Sequence, residues 1–580
     1  MTKQEKIDFI NQPDTIGFVI RDSPKIRKFF EERSSLVTTI TFSDRYLVAY
    51  TSTSNYSQLL SDLGTGAISS ISLILGLLDR ANIEAAGILQ VQQQPFLDLR
   101  GRGVLIGIID TGIDYTKNAF IYEDGTSKIY SIYDLTINEN PPDGFYVGTE
   151  YTKEQINKAL RSPNPLEIVP STDTNGHGTF LASVAAGREE GDLIGAAPDS
   201  ELIVVKLRKA KQFFLDLFAI LPEQENAFES LSVMAAVEYI VQTAQRINRP
   251  VAICIGLGTN LGGHDGFTIF EEYLSSVSIK TGVCLCAAAG NESQARHHMQ
   301  GTIKDINNPV PIEFRVGENA GDIFLSVYNS ASDRISVAIR SPTGELIDRI
   351  PAKNAVFFET NLVLERTNIR VAYFFPLEQS GGQATTVRIG NATPGIWTIL
   401  VYADILLDGE FHSWLPLTGL VSPTVEFLNP SPSHTVVVPS TTVGIISCGA
   451  YDSVSNSLYE RSSWGPTRLP VIAPDFTAPG VNISGVYPTG VGTMSGTSVA
   501  AAITTGACAL LLQWGIVDGF DISMSTFEAK AFLIRGCMRD PDVMGLRKNK
   551  SNTDLQFNER AVKFGEFIVN GVSIWIQIRI

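Results

Sequence analysis

The chain has 580 residues, 44% of them apolar, so it is too long for one ordinary domain and can bury a large core. Its formal net charge is −16, and no basic run is able to follow a phosphate backbone, which argues against nucleic acid as a partner. The first twelve residues are polar, so no secretory signal is visible, and no window resembles a membrane span. We therefore expect a protein made in the cytoplasm, with no membrane partner.

Residues 1–75 are predicted to form a small α+β unit. Alternating apolar residues over 15–20 and 37–50 predict strands, and the patterns over 24–33 and 56–63 predict short helices. Taken alone, such a unit suits any ligand-binding or docking domain.

A near-continuous apolar run over 104–109 ends in Asp110. This pattern predicts a buried parallel strand with a carboxylate at its carboxyl end, where open α/β sheets hold their chemistry. Asp110 also begins an Asp-Thr-Gly sequence, which is a common turn and is the motif of aspartic proteases. Those enzymes need two such carboxylates, and the chain has one Asp-Thr-Gly, so we set that interpretation aside.

Two other polar residues stand at the starts of predicted helices. His177 lies between Gly176 and Gly178, which leave the imidazole accessible. Ser498 opens a long apolar run to Trp514, which predicts a buried helix whose exposed amide end faces the hydroxyl. Taken separately, a structural histidine and an ordinary N-cap serine are the simpler explanations.

The middle of the chain alternates between predicted strands and helices. Apolar runs over 201–207, 251–258 and 283–289, with an amphipathic helix over 230–243, predict a parallel α/β sheet. Asn291 follows the last of these strands, as either a turn residue or a side-chain hydrogen-bond donor.

Five of the six cysteines lie in apolar runs, which is typical of reduced core residues. Cys284 and Cys286 would point the same way on a strand, but no cluster of histidines or cysteines accompanies them. We expect no metal site there and no cofactor.

Asp110, His177 and Ser498 together supply an orienting carboxylate, a general base and a hydroxyl nucleophile. Serine alone is too weakly acidic to attack an amide, so the base must take its proton and pass it to the leaving amine. Asn291 and the backbone amide of Ser498 are the predicted donors to the oxyanion.

In order and in motif, these residues resemble the subtilisin-like serine proteases, the subtilase family. The matching segments are 107–114, 175–179, 288–291, 477–480 and 495–500, with the sequences GIIDTGID, NGHGT, AAGN, TAPG and SGTSVA. The resemblance implies that Gly256, Leu257 and Gly258 line the substrate backbone, which pairs with them as an added strand.

The chain departs from the family in the nucleophile helix and in a long insertion. Ala502 and Ile503 stand where the family usually carries a proline and its neighbour, a change that relaxes the first turn and leaves the chemistry in place. Between Asn291 and Ser440, short alternating strands separated by turns predict a β-sandwich or jelly roll.

We therefore predict an α/β subtilisin-like parallel sheet flanked by helices, with an N-terminal α+β prodomain and an inserted all-β jelly-roll domain. The predicted boundaries are 1–75 for the prodomain, 76–295 and 437–580 for the two parts of the catalytic domain, and 296–436 for the insertion. Two further patterns are an amphipathic piece over 77–88 and an alternation over 574–578, which predicts a closing edge strand.

The insertion, the α+β unit and the lack of a visible signal resemble the germination-specific Csp proteases of clostridial spore formers. That resemblance implies a zymogen whose prodomain acts as an intramolecular chaperone, is cut by self-cleavage between Ser70 and Asn82, and stays bound. It also implies a spore-associated enzyme that activates a cortex-lytic hydrolase precursor by limited proteolysis at spore germination.

Other functions fit the sequence as well. The group contains pseudoproteases that act as signalling partners, so a catalytically silent regulator is the main alternative. An adhesive module centred on the insertion is a second. A lipase or esterase is disfavoured because no Gly-x-Ser-x-Gly elbow surrounds Ser498.

Overall fold

The computed structural model describes six long stretches of the chain and three short strands near its end. The stretches are 1–64, 70–78, 99–191, 193–221, 223–469 and 471–539, and the strands are Val562–Lys563, Phe567–Val569 and Val572–Ile574. Most of the piece predicted over 77–88 and of the edge strand predicted over 574–578 lies outside these residues, so both stay predictions.

The N-terminal residues form a three-stranded antiparallel sheet with helices. The strands lie in the order Thr15–Arg21, Tyr46–Ser52, Val37–Phe42, and the helices are Lys3–Ile10, Pro24–Glu31 and Thr53–Leu63. The alternating run over 37–50, which we predicted as strand throughout, is thus a hairpin. It turns at Ser43, which has a φ of 53°.

Both faces of this small sheet are buried. On one face, Phe18 packs against Phe30 and Tyr56 from two of the helices. On the other, Phe42 and Tyr46 pack against Tyr273, which belongs to a helix of the central part of the protein. Successive residues of a strand point to opposite faces of the sheet. One face of the small sheet therefore packs against the unit's own helices, and the other packs against the central part of the protein.

A parallel sheet forms the centre of the protein. Seven of its strands lie side by side, and each is parallel to the next. In spatial order they are Phe476–Pro479, Ile446–Asp452, Val283–Ala288, Val251–Ile255, Leu105–Asp110, Glu201–Lys206 and Ile129–Asp134. Antiparallel strands lie toward the edges, Thr149–Thr152 at one and Met538–Arg539 at the other. The prediction of an α/β fold is confirmed.

Helices cover both faces of this sheet. Along the strand that ends in Asp110, Ile106 and Ile108 belong to the hydrophobic cluster that contains the helices His177–Ala186 and Thr497–Leu512. Leu105 and Ile109 belong to the opposite cluster, with Ser230–Arg246 and Ile269–Ser278. The continuous apolar run of the sequence therefore reflects burial on both faces.

The remaining elements complete the central part. They are the helices Lys153–Leu160, Gln212–Leu217 and Thr526–Gly536, the 3₁₀ turns Asn118–Phe120 and Pro165–Glu167, the π-helical turn Gln513–Val517, the strands Ile74–Leu77, Phe228–Glu229, Leu257–Gly258 and Ser457–Leu458, and the hairpin Ile483–Tyr487 with Gly490–Met494.

Residues between Asn291 and Ser440 build two antiparallel sheets. One has the order His298–Thr302, Glu410–Trp414, Ile323–Asn329, Gln383–Gly390, Thr367–Phe374, Phe357–Leu362, and the other the order Leu346–Ile350, Arg334–Arg340, Gly395–Ile405, Val310–Val316, Glu426–Phe427. A separate hydrophobic cluster joins them, with Leu325 and Val387 from the first sheet and Phe314 and Trp397 from the second. The jelly-roll description stays a prediction.

Four of the six histidines surround Trp414, where the first of these sheets meets the central part. The imidazole of His264 stacks on the Trp414 indole, with 4.2 Å between the ring centroids and 3° between the ring planes. The ring centroids of His298 and His412 lie 4.9 and 5.5 Å from that of the Trp414 indole. The indole Nε1 donates to the carbonyl oxygen of His434 at 3.2 Å. Burial, followed by the neighbouring His412, lowers the pKa of His434 to about 4. Burial and His412 also hold the pKa of His298 well below its usual value.

This cluster predicts a stability that falls in acid. The pKa of His434 is about 4 in the folded state, below the value of ~6.5 in an unfolded chain. Its contribution is therefore complete above pH ~6.5 and is lost as the pH falls toward 4, since the unfolded chain binds the proton first. We expect His434→Gln to flatten this dependence by about 1–3 kcal/mol between pH 7.5 and 4.5, measured as the free energy of unfolding in urea. Equal slopes for the variant and the parent would contradict the assignment.

Candidate active site

The structure brings Asp110, His177 and Ser498 into one hydrogen-bonded row. The Asp110 carboxylate oxygens lie 2.8 and 2.9 Å from Nδ1 of His177, and Nε2 of the same imidazole lies 3.3 Å from Oγ of Ser498. All three side chains are buried. Because the carboxylate lies on Nδ1, the tautomer with its proton on Nδ1 is favoured, and in that tautomer the lone pair of Nε2 is able to accept the serine proton.

Asp110 is the last residue of its strand, and the backbone that follows turns to hold the carboxylate. The backbone N–H of Thr111 donates to Asp110 Oδ1 at 2.8 Å, and the Thr111 hydroxyl lies 3.2 Å from the same oxygen. The Thr111 hydroxyl also accepts from the backbone N–H of Gly178 at 3.1 Å. This threonine therefore links the carboxylate to the helix that carries His177.

A second buried carboxylate, Asp173, fixes the loop before that helix. It accepts the Thr111 hydroxyl at 2.8 Å, the backbone N–H of Gly176 at 2.8 Å, and both the N–H and the hydroxyl of Thr179 at 2.9 and 2.7 Å. Four donors offset the desolvation of one buried charge. Sequence analysis gave Asp173 no role, although an aspartate shortly before a helix is a recognisable capping signal.

The glycines beside His177 are required by close packing, as the sequence suggested. Gly176 has a φ of +94°, in the left-handed region that favours glycine. A methyl group on Gly178 would collide with the carbonyl oxygen of Gly112, just beyond Asp110. The helix that carries His177 can thus approach the turn after Asp110 only because residue 178 has no side chain.

Ser498 lies in the first turn of the helix Thr497–Leu512. The preceding Gly496 donates its N–H to the carbonyl oxygen of Gly480 at 2.7 Å, which ties the helix start to the end of the strand Phe476–Pro479. Ala502 and Ile503 are buried within an uninterrupted helix. The expectation that no window resembles a membrane span needs a correction: among the described residues, Thr497–Val517 is long and apolar enough to cross a membrane, but 89% of that window is buried in the protein, as in a core helix.

Asn291 is oriented by Thr497, a residue for which the sequence indicated no role. Its Oδ1 lies 3.2 Å from both the backbone N–H and the hydroxyl of Thr497, and that hydroxyl accepts the N–H of Gly290 at 3.0 Å. Because Oδ1 accepts from Thr497, Nδ2 is the end of the amide that is able to donate to a bound oxyanion.

The predicted substrate-binding residues already pair with a segment of the chain itself. Leu257 and Gly258 lie opposite Leu77 and Gly76 in an antiparallel pair, and Gly256 lies against the imidazole of His177. We call residues 73–78 the cleft segment. On its other side it pairs with the strand Phe228–Glu229, opposite Leu75 and Ile74.

The cleft segment ends beside His177. The carbonyl oxygen of Leu78 lies 3.5 Å from Nε2 of His177, and the Leu78 side chain is buried next to Gly258, 3.2 Å from the position of a Cβ there. Upstream, Leu73 exchanges hydrogen bonds with the Oγ and N–H of Ser230, at 2.9 and 2.8 Å. The chain therefore holds an extended peptide of its own across the site.

The similar proteins described below, one solved structure and two curated proteins, are proteases. A model of the subtilase family matches residues 101–320 and 426–557. The solved structure of the CspB protease of Clostridium perfringens superposes with a TM-score of 0.71 at 32% identity, covering 82% of this chain and 94% of that one.

Two curated proteins also match. They are a PII-type proteinase of Lacticaseibacillus paracasei, 21% identical over 465 residues, and the minor extracellular protease Vpr of Bacillus subtilis, 23% identical over 441 residues. The matches cover 71% and 72% of this chain but only 23% and 46% of those relatives. The chain thus spans about a quarter and about half of their lengths.

Proposed function

The chain belongs to the subtilase family of serine endopeptidases, and from this we propose that it hydrolyses peptide bonds with Asp110, His177 and Ser498. The observation that carries the proposal is the cleft segment. A peptide in the extended conformation lies between two strands and brings the carbonyl group of Leu78 to the imidazole of His177. A site that only binds would have no need of the buried Asp110 behind that imidazole.

The geometry supports the following steps. Ser498 Oγ bonds to the carbonyl carbon of the substrate while Nε2 of His177 takes the hydroxyl proton, and Asp110 stabilises the imidazolium. The oxyanion accepts hydrogen bonds from the Ser498 N–H and Asn291 Nδ2. His177 then protonates the leaving amine as the C–N bond breaks. Water attacks the acyl-enzyme, gives its proton to His177, and releases the carboxylate while the serine hydroxyl is restored.

The first substrate in this proposal is the chain itself, cut after Leu78. That bond falls inside the predicted interval from Ser70 to Asn82, of which residues 79–82 lie outside the described part of the chain. Residues upstream of the cut would then act as the prodomain. A template of this kind helps the folding of a parallel sheet, because non-local strand pairs form slowly.

Contacts outside the cleft support a prodomain that stays bound after cleavage. Arg21 donates to the carboxylates of Glu272 and Glu378, the first at 2.9 Å through Nε. The Lys211 ammonium donates to the carbonyl oxygens of Ile10 and Gln12 at 3.2 and 2.8 Å. With the packing of Phe42 and Tyr46 on Tyr273, these interactions do not depend on the peptide bond after Leu78.

We further propose that the mature enzyme activates a precursor protein by limited proteolysis, with the cortex-lytic hydrolase of a germinating spore as the expected substrate and the spore as the expected location. Support comes from the similarity to the CspB protease along most of both chains. The alternative is a silent pseudoprotease that acts as a regulatory partner, and the next experiment separates the two.

Substitution of the nucleophile should abolish self-cleavage. Purified wild-type protein is expected to give two polypeptides on a denaturing gel, whereas Ser498→Ala should give one, because the substitution removes the hydroxyl that lies 3.3 Å from His177 Nε2. Ser457→Ala, in an exposed edge strand, is the matched control and should be cut like the wild type. If all three proteins stay whole, the pseudoprotease alternative is favoured.

The oxyanion donors give a second, quantitative prediction. Asn291→Ala should slow self-cleavage during refolding by about 10²- to 10³-fold, the usual cost of one lost oxyanion donor. Thr497→Val should slow it by a smaller factor, because Asn291 remains and its amide loses the hydrogen bond from the Thr497 hydroxyl but keeps the one from the backbone N–H.

The double variant should be no slower than Asn291→Ala, since Thr497 acts through that amide. If the double variant is slowed by the product of the two single-variant factors, Thr497 acts on self-cleavage independently of Asn291.

A further inference from the structure

A turn from the inserted residues covers the middle of the cleft segment. Leu417 and Leu420 follow the strand Glu410–Trp414 and lie in the same hydrophobic cluster as Ile74 and Leu78. We call residues 417–420 the roof turn. Gly76, the third residue upstream of the proposed cut, lies directly beneath it.

The space under the roof turn leaves little room for a side chain at residue 76. A Cβ placed on Gly76 would lie 3.1 Å from Cδ2 of Leu417, and 3.5 and 3.6 Å from Cγ and Cδ2 of Leu420. A single methyl group would therefore be tight, and any longer side chain would have to displace a leucine. Gly76 lies in an extended strand with φ outside the left-handed region, so backbone freedom does not explain the glycine.

The roof turn is held firmly in place. Leu417 and Leu420 are 0% and 1% exposed, and the N–H of Leu420 donates to the carbonyl oxygen of Leu417 at 2.8 Å. Gln224 Nε2 donates to the carbonyl oxygen of Gly419 at 2.8 Å. The leucines cannot move away without breaking buried packing and these hydrogen bonds.

Glu292, the residue after Asn291, fastens the roof turn to the active site. Its carboxylate accepts the N–H of Thr418 at 3.3 and 3.4 Å, Nδ2 of Asn260 at 2.9 Å, and lies 3.0 Å from Nδ1 of His297. Burial by itself would raise the pKa of Glu292, but the hydrogen bonds from these partners lower it below its usual value. These hydrogen bonds therefore fix the distance between the roof turn and the cleft segment.

We propose that the roof turn selects glycine at the third residue upstream of the scissile bond, both in the chain's own segment and in its protein substrates. The inference rests on the proposed function and deepens it. The remaining positions follow from burial: Leu78, Leu75 and Ile74 are 2%, 0% and 0% exposed, whereas Leu77 is only partly buried. The substrate class is a protein with an extended segment that has glycine at the third position and aliphatic residues at the first, fourth and fifth.

The steric fit is tested first without catalysis. In a Ser498→Ala background, Gly76→Leu should lower the midpoint of thermal unfolding by about 2–4 °C through overpacking. Leu417→Ala opens the space, so Gly76→Leu should lower the midpoint much less in a Leu417→Ala background than in the background that keeps Leu417. Leu407→Ala, in the same inserted part but with an 81% exposed side chain, is the matched control and should recover none. Additive effects of Gly76→Leu and Leu417→Ala would overturn the proposed contact.

Selectivity is then tested on the active full-length chain. Gly76→Leu should slow self-cleavage about tenfold or more, and Leu417→Ala should restore it. Synthetic seven-residue peptides with the sequence of residues 72–78 followed by a fluorogenic amine should be cut at least about tenfold faster with glycine than with leucine at the third position. Leu417→Ala should narrow this ratio.

Equal cutting of the two peptides by the wild type would overturn the inference. If the wild type cuts neither itself nor any peptide, the proposed function fails, but the thermal cycle still decides whether the roof turn excludes a side chain at residue 76.

Discussion

One constraint organises the site: every group that it needs lies at the carboxyl edge of a single parallel sheet. Asp110 ends one strand, the segment 256–258 follows the next, and Asn291 follows the one after that. The helix that carries Ser498 is tied to the same edge through Gly480. Parallel strands need long crossovers, so residues far apart in sequence meet there by topology, and loop hydrogen bonds then set the final distances.

The same edge also accounts for self-recognition in a protein of the subtilase fold. Residues 256–258 and 228–229 leave an open strand position between them, and the cleft segment fills it with main-chain hydrogen bonds. Backbone pairing alone is indifferent to sequence, so selectivity has to come from the side-chain pockets. The inserted sheets, joined to the central part around Trp414, place the roof turn over one of these positions. In this account the insertion shapes the cleft and leaves the chemistry unchanged.

Much of this arrangement was predictable from the sequence because its signals are local. Each marks the end of a strand or helix: a carboxylate after an apolar strand, a histidine between glycines, and a serine at a helix start. In a parallel sheet flanked by helices, such ends lie close together. The parts that could not be predicted depend on contacts between distant residues. Thr497 acts through hydrogen bonds formed only in the folded state, and Leu417 has the sequence context of any core leucine. The hairpin at Ser43 was missed because Ser43 and Asp44, although common turn residues, are not accompanied by a glycine or proline that would mark the turn strongly.

The most direct test of the central claim is the identity of the bond that the chain cuts in itself. Intact-mass analysis of the two polypeptides of the wild-type protein, with N-terminal sequencing of the larger one, gives that bond without further assumptions. We expect the smaller polypeptide to end at Leu78 and the larger to begin at Asp79, because the Leu78 carbonyl lies beside His177. A larger polypeptide that begins at a different residue would show that the cleft segment is not bound as a substrate, and would contradict the account.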